Sequence, residues 1–255
     1  SIKLDDDDYP VISYFDGSTS QVKLLHCDDV DCAGDETGNM VHPDTGVGVG
    51  THTSLALDGN GYPVISYYNF TQMDLTVTHC GSANCQPYTG NKVYSPDTGG
   101  DVGQYTSLAL DANYYPVVSY YDNTNGNLKV LHCNDVDCSG TPPSGPESIE
   151  SPDTQDNVGM RTSLALDVYG RPVISYRDVT NGDLKVLHCD DVNCAGDESG
   201  NITVADVWGD GRSTSLALDG AGNPVIAYEA LADLRVVHCD NGTCAASPYP
   251  PAGRD

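Results

Sequence analysis

The chain has 255 residues, of which 37 are Asp or Glu and 11 are Lys or Arg, for a formal net charge of −26. Such a surface repels phosphate backbones and anionic lipid headgroups, which argues against nucleic acid and membrane-surface partners. No apolar run approaches the roughly 20 residues that a spanning helix needs, so membrane insertion is not expected.

In chain order, the same unit is written five times. Ser1, Ser54, Ser107, Ser163 and Ser215 each open a copy, at intervals of 52 to 56 residues. A fixed period of this size means one supersecondary unit stacked on itself. Residues 1–255 therefore read as a single domain with repeats at about 1–53, 54–106, 107–162, 163–214 and 215–255. The chain opens inside a repeat, so an export signal already removed is the expectation.

Within the second copy, apolar residues alternate or cluster in short runs bounded by Gly, Pro, Asp and Asn, which is strand punctuation. Strands are predicted over 53–58, 63–68 and 75–80, with a weaker fourth over 91–95. The turn Asp58-Gly59-Asn60-Gly61 joins the first two as a hairpin, because Asp bonds its own backbone and Gly supplies positive φ. The fourth strand is clearest over 201–207 and faintest over 148–151. Pro43, Pro96 and Pro152 fall in or near it, as an edge strand tolerates. Four antiparallel strands per unit, five times over, define an all-β fold: a five-bladed β-propeller.

Each repeat carries one Cys-x4-Cys pair: Cys27 with Cys32, Cys80 with Cys85, Cys133 with Cys138, Cys189 with Cys194, and Cys239 with Cys244. An even count at identical spacing reads as five local disulfides, and hence an oxidising, extracellular or cell-surface location. Each closes a short loop and contributes about 2 kcal/mol on the chain-entropy estimate. His26, His79, His132, His188 and His238 precede the first cysteine of each pair. Zinc is disfavoured: neighbours on a strand point to opposite faces, and the unit offers three ligands where structural zinc wants four. No cofactor is expected, apart from weak calcium binding by acidic cysteine loops such as Asp28-Asp29-Val30-Asp31.

The stretches from Ser107 to Val130 and from Ser163 to Val186, of the form Ser-Leu-Ala-Leu-Asp … Pro-Val-Ile-Ser-Tyr … Leu-Lys-Val, resemble the propeller repeats of large secreted and cell-surface microbial proteins. The resemblance spans essentially the whole chain. It implies the propeller fold and carries no assigned activity.

Residues present in every copy are most economically structural, since catalysis needs one asymmetric constellation. Tyr14, Tyr67, Tyr120, Tyr176 and Tyr228 are expected between blades, with hydroxyls bonded near the rim. Of the five glutamates, Glu229 alone lies in an irregular part of a repeat and away from the outer segments. The function expected on these grounds is a non-catalytic structural or adhesive propeller, a building block of a surface layer, appendage or filament. A lectin-like propeller is the alternative, with a glycosidase or lyase behind it. The expected partners are other copies of the chain, head to tail through the last blade and the termini, or surface glycans. Asn69, Asn201 and Asn241 fit the N-glycosylation pattern, with Asn69 and Asn241 expected on exposed turns.

Overall fold

The computed structural model describes residues 1–141, 146–207, 211–230 and 232–244. Trp208 and the proline-rich tail, residues 245–255, lie outside the described residues.

The architecture is the expected five-bladed β-propeller. Blade one holds β1 (Ile2–Leu4), β2 (Pro10–Asp16), β3 (Gln21–His26) and β4 (Met40–Val41). Blade two holds β5 (Val49–Leu57), β6 (Pro63–Asn69), β7 (Asp74–His79) and β8 (Lys92–Asp97). Blade three is built from β9 (Val102–Leu110), β10 (Pro116–Asp122), β11 (Asn127–His132) and β12 (Ser148–Asp153). In blade four the strands are β13 (Val158–Leu166), β14 (Pro172–Asp178), β15 (Asp183–His188) and β16 (Ile202–Asp206). Blade five comprises β17 (Arg212–Leu218), β18 (Pro224–Ala230) and β19 (Asp233–His238). Each blade is an antiparallel meander in sequence order, four-stranded in the first four blades and three-stranded in the last among the described residues.

Two expectations about strand bounds need correction. The innermost strand starts at Val49, not at residue 53, because the chain stays paired through an irregularity in register between Thr51 and Ser54. The faint outer strand of blade three is a full strand, Ser148–Asp153, despite Pro152, since the pyrrolidine falls on an edge with no outer partner.

Four apolar clusters fill the four spaces between consecutive blades. Val22 and Leu24 of blade one meet Leu55, Ile65 and Tyr67 of blade two, and the same pattern recurs to blade five. Close approach of blades depends on glycine: a Cβ on Gly50 would lie 2.6 Å from the Val22 Cα. No described helix is long and apolar enough to cross a membrane.

All five expected disulfides are formed within repeats: Cys27 to Cys32, Cys80 to Cys85, Cys133 to Cys138, Cys189 to Cys194 and Cys239 to Cys244, with Cα–Cα separations from 4.8 to 5.1 Å. The link between third and fourth strands is not a plain loop, as the spacing alone suggests. The second cysteine of each pair sits in the left-handed region: Cys32 (φ 47), Cys85 (φ 50), Cys138 (φ 53), Cys194 (φ 53) and Cys244 (φ 55). Each closes a tight turn by donating its N–H to the carbonyl three residues back, that of Asp29, Ser82, Asp135, Asp191 or Asn241. The cystines of blades two to five are buried in the clusters against the preceding blade. In blade one, whose cystine joins no such cluster among the described residues, Cys27 is buried but Cys32 is only half-buried.

Candidate functional site

The residues common to all repeats form ties that fasten blade to blade. The opening serines accept hydrogen bonds across each interface: Leu55 N–H donates to Ser1 Oγ, Leu108 to Ser54, Leu164 to Ser107 and Leu216 to Ser163, at 2.9 to 3.2 Å. The interior tyrosines do as expected. Tyr67, Tyr120, Tyr176 and Tyr228 donate to Asp44, Asp97, Asp153 and Asp206 of the preceding blade. Tyr14, in blade one, instead donates to Met40 Sδ at 3.3 Å.

The histidines are structural by the same geometry. Asp58 holds its hairpin by accepting from Asn60 and Tyr62 N–H through Oδ1, while its Oδ2 bonds His79 Nε2 at 3.1 Å. His79 Nδ1 reaches Asp137, in the cysteine loop of the next blade, at 2.8 Å. Burial alone would lower the His79 pKa, but the two carboxylates outweigh it and raise it. In the acidic cysteine loops, Asp29, Asp135 and Asp191 cap backbone N–H groups of their own turns. Among the described residues no group of three or more His, Cys, Asp or Glu is arranged to hold a metal ion.

Asn69 is not on an exposed turn. It is 7% exposed at the end of β6, donating to Gln72 Oε1 and accepting from the N–H groups of Thr71 and Gln72. It holds the turn as Asp122 and Asp178 do in the next two blades. Asn201 donates to Glu198 Oε2 at 2.6 Å, whereas Asn241 is exposed.

One tier of the molecule breaks the repetition. Where the innermost strands begin, each of four blades places a non-glycine residue in the left-handed region: His52 (φ 57), Tyr105 (φ 56), Arg161 (φ 57) and Ser213 (φ 53). Each coincides with an irregularity in the pairing of the first two strands. A bulge of this kind re-aims a side chain and costs of order 1–3 kcal/mol in backbone strain, a pattern found at functional sites. Here it turns four unlike side chains toward one another around the propeller axis. The His52 and Tyr105 rings are 4.3 Å apart, Arg161 lies over Tyr105 at 5.3 Å, and Arg161 Nη1 is 3.5 Å from Ser213 Oγ. Desolvation, with the Arg161 charge added, lowers the His52 pKa, although its ring stays open to solvent at the rim.

The paired position on the second strand diverges as well, reading Tyr68, Tyr121, Arg177 and Glu229 opposite Thr51, Gln104, Met160 and Arg212. Asp101 joins this rim. It accepts from Tyr68 Oη at 2.7 Å, from Gln104 Nε2 at 3.1 Å and from Asn123 Nδ2 at 2.7 Å. Desolvation, then the Asp101 carboxylate, raises the Tyr68 pKa to about 12. The rim thus carries aromatic faces, an imidazole and a guanidinium; Asp101 is bonded into it through Tyr68 and Gln104, and Glu229 stands at the paired strand position of blade five, both half-buried. The opposite end of the axis is a cavity of about 590 Å³ lined by aliphatic residues such as Leu4, Leu57, Leu110 and Leu216. Its one acid, Asp111, is committed to a hairpin and to His132.

Glu229 was singled out by the sequence; the rest of the rim was not. The signal available was variation between constant neighbours, since each divergent residue stands between a fixed glycine two places before and a fixed Thr-Ser after, as in Gly50-Thr51-His52-Thr53-Ser54.

No family profile and no curated protein matches the sequence. Solved structures do match in fold. An exo-β-1,3-galactanase from Phanerochaete chrysosporium superposes with a TM-score of 0.55 at 12% identity, over 94% of this chain and 59% of that one. A GH43 β-1,3-galactosidase gives 0.52 at 10% identity over 94% and 55%. The catalytic domain of a GH62 α-L-arabinofuranosidase from Coprinopsis cinerea gives 0.51 at 10% identity over 92% and 87%. The chain spans less than two thirds of the length of the first two. At this identity the likeness establishes the propeller fold alone. Together with the rim, it nonetheless corrects the expectation of a non-catalytic structural building block. That expectation rested on the absence of an asymmetric cluster, and the described residues contain one. These three solved propellers are glycosidases, so the expectation that the chain is not an enzyme does not stand either.

Proposed function

We propose that this chain is a glycoside hydrolase acting at the axial rim. The observation that carries the reading is the single unlike tier, His52, Tyr105, Arg161 and Ser213, held by strained backbone on an otherwise repeated scaffold. Hydrolysis of a glycosidic bond uses two carboxyl groups, one donating a proton to the leaving oxygen and one directing the nucleophile at the anomeric carbon. Glu229 and Asp101 supply that pair in this reading. Asp101, accepting three hydrogen bonds, serves as the carboxyl group that directs the nucleophile, and Glu229 as the one that faces the leaving oxygen. Tyr105 and His52 offer ring faces for a sugar, and Arg161 a planar donor for its hydroxyls.

The named activities of the similar folds select the panel: β-1,3-linked galactans, α-L-arabinofuranosides and their aryl glycosides. Glu229→Gln should lower kcat/KM by about 10²–10⁴-fold on a turned-over substrate, as removal of a general acid does. Glu150→Gln, on the outer strand β12, should leave turnover unchanged. Saturable binding of a panel glycan with no product from the parent chain would overturn hydrolysis.

The disulfides and the resemblance to secreted microbial repeats support an extracellular location. Of the three sequons, Asn241 has the accessible acceptor, while Asn69 would have to leave its buried turn to be modified. Expression in a glycosylating secretory host should therefore add at most two glycans. Peptide mapping that found Asn69 occupied would contradict this.

A further inference from the structure

Consecutive blades meet through one repeated interface, and among the described residues one half of it stands exposed on blade five and the other half on blade one. On blade five, Leu234 is 81% exposed and Val236 64% exposed. Their counterparts in blade four, Leu184 and Val186, are fully buried. On blade one, Ile2 is 58% exposed, whereas its counterpart Leu55 is fully buried against the blade before it. No apolar cluster joins blade five to blade one among the described residues.

The polar ties are left open in the same complementary way. Ser215 is the one opening serine whose hydroxyl receives no N–H from a following blade among the described residues. Ile2 offers that N–H: Ser1 exchanges both its backbone bonds with Ser13, so the next N–H along β1 points out of the sheet. His26, His79, His132 and His188 each bond the cysteine loop of the following blade through Nδ1. Among the described residues His238 keeps only its Nε2 bond to Asp219, and it is exposed. The loop it lacks is the type carried by blade one, Asp28-Asp29-Val30-Asp31, which is acidic and exposed or half-buried.

We propose that a second copy of this chain docks here, the blade-five face of one copy seating on the blade-one face of the next. The contact continues an interface already made four times within each copy. Val236 packs beside Ile2, Ile2 N–H donates to Ser215 Oγ, and His238 faces the acidic loop, while Leu234 lies toward the rim. The contact is heterologous, so each copy uses two different surfaces. It is independent of the glycosidase reading.

Because the two halves differ, they can be removed separately. The weight-average mass of the parent chain, followed by sedimentation, should rise with concentration to at least twice the monomer. Val236→Asp and Ile2→Asp alter exposed side chains on opposite halves, and each variant alone should remain monomeric with unchanged circular dichroism. An equimolar mixture should form a dimer that grows no further, since one intact half remains on each variant. A parent chain monomeric at every concentration would overturn the proposal, including a monomer whose β19 amides are protected by closure within one copy. A mixture that stays monomeric, or single variants that assemble like the parent, would overturn it equally.

Discussion

Gly103→Ala should be among the most damaging single-atom additions to this protein, costing about 3 kcal/mol or more of stability. Gly103 has φ 99°, where an L side chain is strained. The added Cβ would also stand 2.6 Å from the Leu75 Cα and 2.8 Å from its N. Those are backbone atoms of β7, which is hydrogen-bonded on both sides, by β6 and β8, and cannot retreat without breaking a sheet. The blade-two and blade-three interface would open to admit the methyl, exposing the cluster that contains Val77 and Tyr120. Gly38→Ala is the matched control, since a Cβ there meets nothing within 4 Å and its backbone is unstrained. Urea denaturation should show a much lower midpoint for the first and a change within about 0.5 kcal/mol for the second. Equal midpoints would show that the blades tolerate separation.

Asp97→Ala should cost about 3–5 kcal/mol, because it strands two partners at once. The Asp97 Oδ2 accepts from the Tyr120 hydroxyl at 2.7 Å and from Lys129 Nζ at 2.6 Å, and Oδ1 accepts from Gly99 N–H at 3.0 Å. Asp97 and Tyr120 are both buried, so water cannot replace what is lost. Tyr120→Phe removes the hydroxyl but leaves the carboxylate with Lys129, and should cost only about 1–2 kcal/mol. The pair also predicts an acid limb. Burial raises the Asp97 pKa, yet the Lys129 and Tyr120 hydrogen bonds and the Gly99 N–H bring it below the ordinary 3.8. A carboxyl depressed on folding contributes its full stability above 3.8 and loses it as pH falls through the lower folded value. The Asp97→Ala variant should therefore lose less stability than the parent between pH 5 and pH 2, and parallel curves would refute that role.

The fold was legible because its causes are repeated. The two cysteines of every copy, and the opening serine and the tyrosine in four copies of the five, perform the same task, so period and spacing expose them. The candidate site was hidden for the opposite reason. His52, Tyr105 and Arg161 adopt a conformation that their residue types disfavour, in a segment that read as the approach to a strand. Only the paired strand beneath them keeps it there, and pairing partners are not visible in local propensity. Asn69 misled for a related reason: its neighbours spell a turn, but its amide is spent inside that turn, on the N–H groups of Thr71 and Gln72 and on the Gln72 side chain, and is buried. Glu229 could be picked out because its repeat is shorter nearby, whereas Asp101, in a glycine-rich crossover, looked like any other acid in an acidic chain.

The bulged tier has a consequence for how such a protein can change. The glycine and the Thr-Ser pair around each bulge make the blade contacts, while the residue between them takes almost no part in the buried clusters. Its backbone strain is already met by the frame, and the frame accepts an imidazole, a phenol, a guanidinium or a hydroxymethyl group at equivalent places. These four positions therefore act as interchangeable sockets. Swapping their occupants, singly or together, would rewrite the chemistry presented on the axis while the five blades beneath keep their register.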